Sequence, residues 1–391
     1  MRILVAHAGY RVRGGEDRYV EQQVELLRPH HQIELFRMSN EDLTGSVSTG
    51  MRMIFSRNVM RTVEDRIVGF EPDVIHIHNV YPALGPAIHL AAERHHVPIV
   101  QTVHNLRLRC PNGLMFTEGA PCRRCEAGNY ANALVHACFQ TRSQAAAYAA
   151  GLWIHRFLMR LERKVTAFIS PSDFMREQLL AWGISGSRVW TIRNFVPSIP
   201  SDPSSLGRYG VFVGRLSEEK GLSGLLGALA LSGDIPFRIV GDGPLSSDLM
   251  QLNAQLRLQN VVFTGRLNQR AVADAVARSR FLVMPSLWEE NAPLAVLESM
   301  AAGRPVLVSR RGGLPELVRD GSGLTFEPDD PRSLAEMIRL LWTDDEVCRS
   351  LGLRAGVFAR EHLSAESHLH QLEQIYEHVI GGKGAIREGK S

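Results

Sequence analysis

Residues 285–309 read PSLWEENAPLAVLESMAAGRPVLVS and carry two glutamates, Glu290 and Glu298, in an E-x7-E spacing. An apolar run ends at Met284, a loop follows, and a helical pattern begins near Asn291, Ala292, Pro293 and Leu294. Asn is a favoured helix cap and Pro suits a first helical turn. The free backbone N–H groups of such a turn make an anion site. Glu290 then lies in the loop and Glu298 about one and a half turns inside the helix, so both carboxylates can point into one cleft at different depths. A carboxylate accepts two hydrogen bonds as a fork, which suits paired sugar or ribose hydroxyls.

Arg215 and Lys220 follow the run Val211–Val213 in VFVGRLSEEKG. Two cations at a strand end suit a diphosphate: Arg grips it in a bidentate fork, Lys adds a compact charge, and both neutralise charge growing on a departing phosphate. Near the N-terminus the run Ile3–Ala6 leads into HAGYRVRGGED, where Gly14 and Gly15 allow close backbone approach to a phosphate ahead of a helix start. The pair does not fit the G-x-G-x-x-G dinucleotide pattern. His104 and Asn105 end the run Ile99–Val103, and His78 and Asn79 end DVIHIHN. A histidine at a strand's carboxyl end can hydrogen-bond a reacting group and titrates near neutrality. His104 is the stronger candidate; His78 and Asn79 are candidates for acceptor contacts. Gly241, Asp242 and Gly243 follow Phe237–Val240, and Arg266 and Leu267 follow Gly265 in a loop that would flank a base. Gly312, Gly313, Pro315 and Glu316 would close the same side.

Four of the five cysteines, Cys110, Cys122, Cys125 and Cys138, fall in one stretch as C-x11-C-x2-C-x12-C. That pattern is consistent with a closed, non-catalytic zinc site stapling an insertion at about 107–150. Free thiols or redox chemistry are the alternative, and disulfides do not fit a cytoplasmic chain. Cys348 reads as an isolated apolar position.

These residues need elements to hold them. Short β-branched runs at Ile3–Ala6, Ile33–Phe36, Val74–Ile77, Ile99–Val103, Ala167–Ile169 and Val189–Ile192 alternate with helical patterns such as Tyr19–Leu27 and Phe157–Val165. The plan repeats with Val211–Val213, Phe237–Val240, Val261–Phe263, Phe281–Met284 and Val306–Val308, separated by helical stretches at about 221–232, 245–257, 270–278 and 293–302. Such alternation predicts α/β architecture with parallel sheets covered by helices on both faces. Prolines and serines at 197–207 mark a linker, giving domains at 1–196 and 208–365 and a helix and tail at 366–391 attached to either. Two doubly wound Rossmann-like domains facing across a cleft would bind ligand at the carboxyl ends of their strands.

At 391 residues the chain suits two domains, and 45% apolar with 22% charged residues matches a globular protein. The apolar start MRILVAHAGY is too short for a signal peptide, and Ala145–Ile154 is about half a membrane span, so a soluble, cytoplasmic protein is expected. The net charge of +3 conceals a basic half, 1–195, and an acidic remainder. The basic half suits anionic lipid or a phosphate-bearing acceptor, or is ordinary scatter of surface charge. In 51–67, Arg57 and Arg61 lie near Ile54, Phe55, Met60 and Ile67, a pattern for peripheral membrane contact or for a helix packed on its own domain. No dense basic run with interleaved aromatics supports nucleic-acid binding.

The motifs together, over nearly the whole chain, resemble the retaining glycosyltransferases of family four, group 1, which have the GT-B fold. Glu290 and Glu298 match that family's E-x7-E motif; the resemblance implies that Glu290 binds the transferred sugar and Glu298 the donor's ribose. Arg215 and Lys220 match its diphosphate-binding pair. Gly14 and Gly15 resemble its GG-x-E loop, although Asp17, not a second Glu, follows Glu16; Gly15 would sit near the diphosphate. His104 matches a histidine beside the sugar's C6 region, and Gly241 belongs to a G-D-G-P turn like the family's. The implied activity is hexosyl transfer, with retention, from a nucleotide-diphosphate sugar to a saccharide or lipid-linked saccharide, in cell-surface polysaccharide synthesis. The departing phosphate itself would take the acceptor's proton, and no catalytic metal is required where two cations serve the diphosphate. A nucleotide-sugar epimerase and a non-catalytic zinc-stapled scaffold remain the alternatives.

Overall fold

Among the described residues, fourteen short strands, β1–β14, and the helices between them follow from a simple pattern: apolar runs too short for a helix are punctuated by capped amphipathic segments. In this computed structural model, residues 1–40, 52–197 and 206–388 are described. Most of the sequence-marked linker therefore lies outside the described residues.

The chain divides into two compact units. The first comprises Met1–Glu118, Cys122–Ile192 and His368–Ser391; the second comprises Gly119–Pro121 and Arg193–Ser367. In the first, β1 (Arg2–Gly9), β2 (Gln32–Ser39), β3 (Val74–Ile77), β4 (Ile99–Thr102), β7 (Ala167–Ser170) and β8 (Val189–Thr191) form one sheet in the order β2-β1-β3-β4-β7-β8. Every pairing is parallel. Side chains alternate across a strand, and here both faces are buried: Ile3 and Val5 of β1 join one cluster, Leu4, Ala6 and Ala8 the other.

The helix Ala365–Glu388 settles the attachment that the sequence leaves open. Its Leu372, Ile375, Tyr376 and Val379 join Ile3, Val5, Val74 and Val100 on the first sheet. The helix Arg57–Phe70 is capped by Ser56 and buries Val59, Met60, Val63 and Ile67 in the same unit, while Arg57 and Arg61 stay exposed. Residues 157–165 are not one helix. A π turn, Ile154–Leu158, ends before Arg160, which takes a left-handed conformation (φ 50°), and a short helix, Leu161–Lys164, follows. β5 (Phe116–Thr117) and β6 (Ala120–Pro121) are strands of two residues each.

In the second unit, β9 (Gly210–Val213), β10 (Phe237–Val240), β11 (Val261–Gly265), β12 (Phe281–Met284), β13 (Val306–Ser309) and β14 (Gly323–Phe326) form a parallel sheet in the order β11-β10-β9-β12-β13-β14. β14 has no counterpart in the sequence reading, because Gly323-Leu-Thr-Phe lacks a run of β-branched residues. In both sheets the strand order reverses beside the first strand, between β1 and β3 and between β9 and β12. Those reversals are where open α/β sheets bind ligands.

Candidate active site

In the second unit the reversal brings two loops side by side. One leaves β9 through Gly214 and Arg215 into a single 3-10 turn, Glu218–Lys220. The other leaves β12 and enters the helix Leu294–Ala301. The backbone N–H groups of Leu287 and Trp288 donate to the carbonyl of Glu219 at 2.8 and 3.4 Å. Gly221 has φ 69°, and a Cβ there would lie 2.0 Å from the carbonyl oxygen of Pro285, so glycine alone allows this approach.

The seam places Lys220 Nζ 2.6 Å from Glu290 Oε1 and 5.1 Å from the centroid of the Trp288 ring. Ser286 Oγ donates to the same carboxylate oxygen at 2.6 Å. Glu290 is only 4% exposed, so its charge depends on these two donors. Its carbonyl accepts from Gly313 N at 2.7 Å, and Gly312 (φ 56°) passes so close that a Cβ would lie 2.1 Å from that oxygen. Lys220 is one of four lysines in a chain that otherwise uses arginine; its compact ammonium fits between a carboxylate and a ring. Arg215 is exposed and makes no ion pair among the described residues.

Glu298 lies inside the helix and is buried, as are Asn291 and Leu294, while Ala292 and Pro293 are half-buried. Asn291 is not the helix cap. Pro293 occupies that position with extended backbone (φ −69°, ψ 121°), and Asn291 stands two residues outside, because the loop stays extended until it has cleared Gly312 and Gly313. The ends of β9, β10 and β11 are joined: Gly214 N donates to Val240 O and Gly241 N to Gly265 O, each at 3.0 Å. Arg266, exposed, and Leu267, half-buried, follow on the same rim.

In the first unit, neighbouring strands collect histidines. His7 lies on β1, His76 on β3, His78 one residue beyond β3, and His104 two residues beyond β4. The rings of His76 and His78 stack at 4.4 Å. His78 Nδ1 and His104 Nε2 are 2.9 Å apart. His76 is held by Tyr376 Oη at 2.6 Å and Thr102 Oγ1 at 2.8 Å. Burial, with His7 and His76 nearby, lowers His104 to about 3; burial and His368 lower His76 to about 3. The imidazoles of His76 and His104 are therefore neutral at physiological pH.

Gly14 and Gly15 are exposed at the start of the helix Gly15–Leu27, and a Cβ on Gly14 would meet nothing within 4 Å. What shapes this loop is Asp17, which sequence reasoning noted only as a departure from a motif. It is 1% exposed and accepts from the backbones of Gly14 (3.0 Å) and Tyr10 (3.2 Å), with His7 Nε2 at 3.1 Å. Burial works to raise its carboxyl, but those bonds outweigh it and hold it below the usual range. Asn105 joins the same loop, donating to Tyr10 Oη at 3.2 Å and Glu16 Oε2 at 3.4 Å. Asn79 instead turns inward, donating to the carbonyls of Ala8 and Tyr81.

Cys110, Cys122, Cys125 and Cys138 line one small cavity of about 10 Å³, room for a single small occupant. Cys110 Sγ is turned to Asn112 Oδ1 at 2.9 Å. Among the described residues no three Cys, His, Asp or Glu side chains stand at metal-binding spacing. Sequence reasoning also missed Tyr19, His368 and Tyr376 as partners of the histidines. The available signal was His-Ile-His in 76–78, whose period of two puts both rings on one side of β3.

Comparison with known proteins bears on the family and the fold. Residues 13–198 match the family described as Glycosyltransferase Family 4, and residues 206–356 match Glycosyl transferases group 1. An uncharacterized glycosyltransferase of Methanocaldococcus jannaschii is 33% identical over 172 residues, covering 44% of this chain and 48% of that protein. A putative teichuronic acid biosynthesis glycosyltransferase of Bacillus subtilis is 27% identical over 283 residues, covering 72% of this chain and 63% of that protein. This chain thus matches less than two thirds of the length of either relative. Among solved structures, the HepE protein of Anabaena in complex with UDP and glucose superposes with a TM-score of 0.70 at 19% identity, over 96% of this chain and 99% of that one. That likeness concerns the fold.

Proposed function

As the chain belongs to the group 1 glycosyltransferases with the GT-B fold, we propose that it transfers a hexosyl group from a nucleotide-diphosphate sugar to a saccharide or lipid-linked saccharide acceptor, with retention. The observation that carries this reading is the contact of Lys220 with Glu290 at the strand-order reversal between β9 and β12, 2.6 Å long and nearly buried. A donor arriving there brings a diphosphate for Lys220 and the exposed Arg215, and hydroxyls for Glu290. The cations then stabilise the charge that grows as the sugar–phosphate bond breaks. Glu298 serves the ribose, the segment Asn291–Leu294 receives phosphate, and Gly241, Arg266 and Leu267 flank the base. His104 faces the sugar, and Gly14 and Gly15 border the diphosphate. The departing phosphate takes the acceptor's proton, and no catalytic metal is required where Arg215 and Lys220 serve the diphosphate.

The setting we propose is cell-surface polysaccharide synthesis in the cytoplasm, with peripheral contact at the membrane. Exposed Ile54 and Phe55 beside exposed Arg57 and Arg61 support that contact. Among the described residues no helix is long and apolar enough to cross a membrane. The shared cavity of the four cysteines supports a structural zinc ion, although the thiols must turn inward to hold it, Cys110 away from Asn112.

The test is thermal melting with UDP, GDP, ADP and TDP, each with and without EDTA. A nucleotide at 100 times its dissociation constant stabilises the fold by about 2.7 kcal/mol. UDP, which accompanies the Anabaena protein, is the first to try. One nucleotide should raise the melting temperature whether or not EDTA is present. If all four leave folded protein unmoved, the donor site is wrongly assigned. EDTA alone should lower the melting temperature of the first unit; no change there, with no zinc in elemental analysis, removes the metal.

A further inference from the structure

The contact between His78 and His104 contains a proton whose position the surroundings decide. The two rings are nearly coplanar, 17° apart, with centroids 5.2 Å apart and His78 Nδ1 2.9 Å from His104 Nε2. That is the geometry of two imidazoles joined edge to edge by one N–H···N bond. Both rings are neutral: burial depresses each, with neighbouring histidines adding to the effect. One nitrogen of the pair therefore donates and the other accepts.

The far edge of His78 selects between the two arrangements. His78 is 3% exposed, and its Nε2 is buried without a hydrogen-bond partner. If His78 accepted at Nδ1, its proton would sit on Nε2 as a buried, unpartnered N–H. If His78 donates from Nδ1, Nε2 holds only a lone pair. Orphaned buried N–H groups are the rarer and costlier defect. His78 thus donates, His104 Nε2 accepts, and the proton of His104 sits on Nδ1. His104 is only partly buried, so that proton is available to a ligand.

The ring of His78 is fixed well enough to impose this choice. It stacks on His76 at 4.4 Å and 21°, and Tyr19 packs edge-on against both His78 and His104. His76 is itself pinned at both nitrogens, by Tyr376 and Thr102.

We propose that His78 is a positioning residue that locks His104 as an Nδ1–H donor, so that His104 gives a hydrogen bond to an oxygen of the transferred sugar or its phosphate and takes no proton from the acceptor. This rests on the reading of His104 as a donor-sugar contact. It moves His78 from acceptor contact to support for His104, and it leaves the departing phosphate as the proton's destination.

The experiment pairs kinetics with ¹⁵N NMR on histidine-labelled protein. The substrate is the glucosyl or mannosyl ester of whichever nucleoside diphosphate raises the melting temperature, and slow hydrolysis of that ester is the readout. His104→Ala should lower kcat about 100-fold, the typical loss for one well-placed donor. His78→Leu should lower kcat about tenfold with KM little changed, since the donor remains but is no longer aimed. His78→Asn keeps an N–H near the Nδ1 position and should restore most of that loss. The spectrum of the wild-type protein should show a proton on Nδ1 of His104 and none on Nε2. If His104→Ala is damaging while folded His78→Leu turns over like wild type, the inference fails and the donor-site reading stands. If both are silent, the reading of His104 fails with it. If His78→Leu does not fold, the tautomer decides: Nδ1–H upholds the proposal and Nε2–H overturns it.

Discussion

The two units share a parallel, doubly wound plan, yet the ends of their strands hold opposite chemistry. In the first, the side chains at the reversal are buried and mostly imidazoles: His76 bonds to Tyr376 and Thr102, His78 to His104, and His7 to Asp17, with burial keeping His76 and His78 neutral. In the second they are ionised: Lys220 against Glu290, with Arg215 in solvent. Of the chain's fifteen histidines only His362 falls in the second unit. The backbone plan supplies a place for a ligand, and the local balance of burial against pairing decides whether that place presents charge or neutral donors.

Removing one charge from the second unit should give the largest effect. Lys220→Ala leaves Glu290, 4% exposed, with Ser286 as its remaining side-chain donor, and removes a cation from the diphosphate. Turnover of the nucleotide sugar should fall by about 10²–10³-fold. A Lys220→Ala protein that folds and keeps wild-type turnover would break the contrast between a charged site and a histidine-rich one.

Acid should act on the other side of the comparison. His76 and His104 stand at about 3, and His89 and His155 at about 4, each chiefly through burial. A histidine whose pKa is depressed below its unfolded value, about 6.5, contributes stability that is complete above that value. It loses that contribution as pH falls towards the folded pKa. The first unit should therefore open before the second between about pH 6.5 and 4, and hydrogen exchange by segment would follow it. Earlier opening of the second unit would mean that its own carboxylates, not the buried histidines, set acid sensitivity.

The smallest effect sharpens the account of the C-terminal helix. Tyr376→Phe keeps the ring in the first core but removes the 2.6 Å bond to His76 Nδ1. It should cost about 1–3 kcal/mol in urea unfolding, with protection lost first across Ala365–Glu388. An unchanged midpoint would mean that packing alone holds the helix.

The sequence by itself determined the layered α/β plan and singled out the residues of the candidate charged site. Runs such as Phe281–Met284 and Val306–Val308 are short, apolar and flanked by breakers, and buried parallel strands demand that pattern. Arg215, Lys220 and Glu290 could be singled out because each lies in the loop that follows a strand, and Glu298 because it shares the E-x7-E spacing with Glu290. Tertiary structure alone decided that Lys220 meets Glu290 across seventy positions, that Asp17 ties the first loop to His7, and that Pro293, not Asn291, opens its helix. It alone joined His78 to His104, twenty-six positions apart, and sent Tyr376 back from the C-terminal helix to His76. Those contacts arise from which strands lie side by side. Strand order is set by the packing of whole faces, and residue spacing within a single run does not encode it.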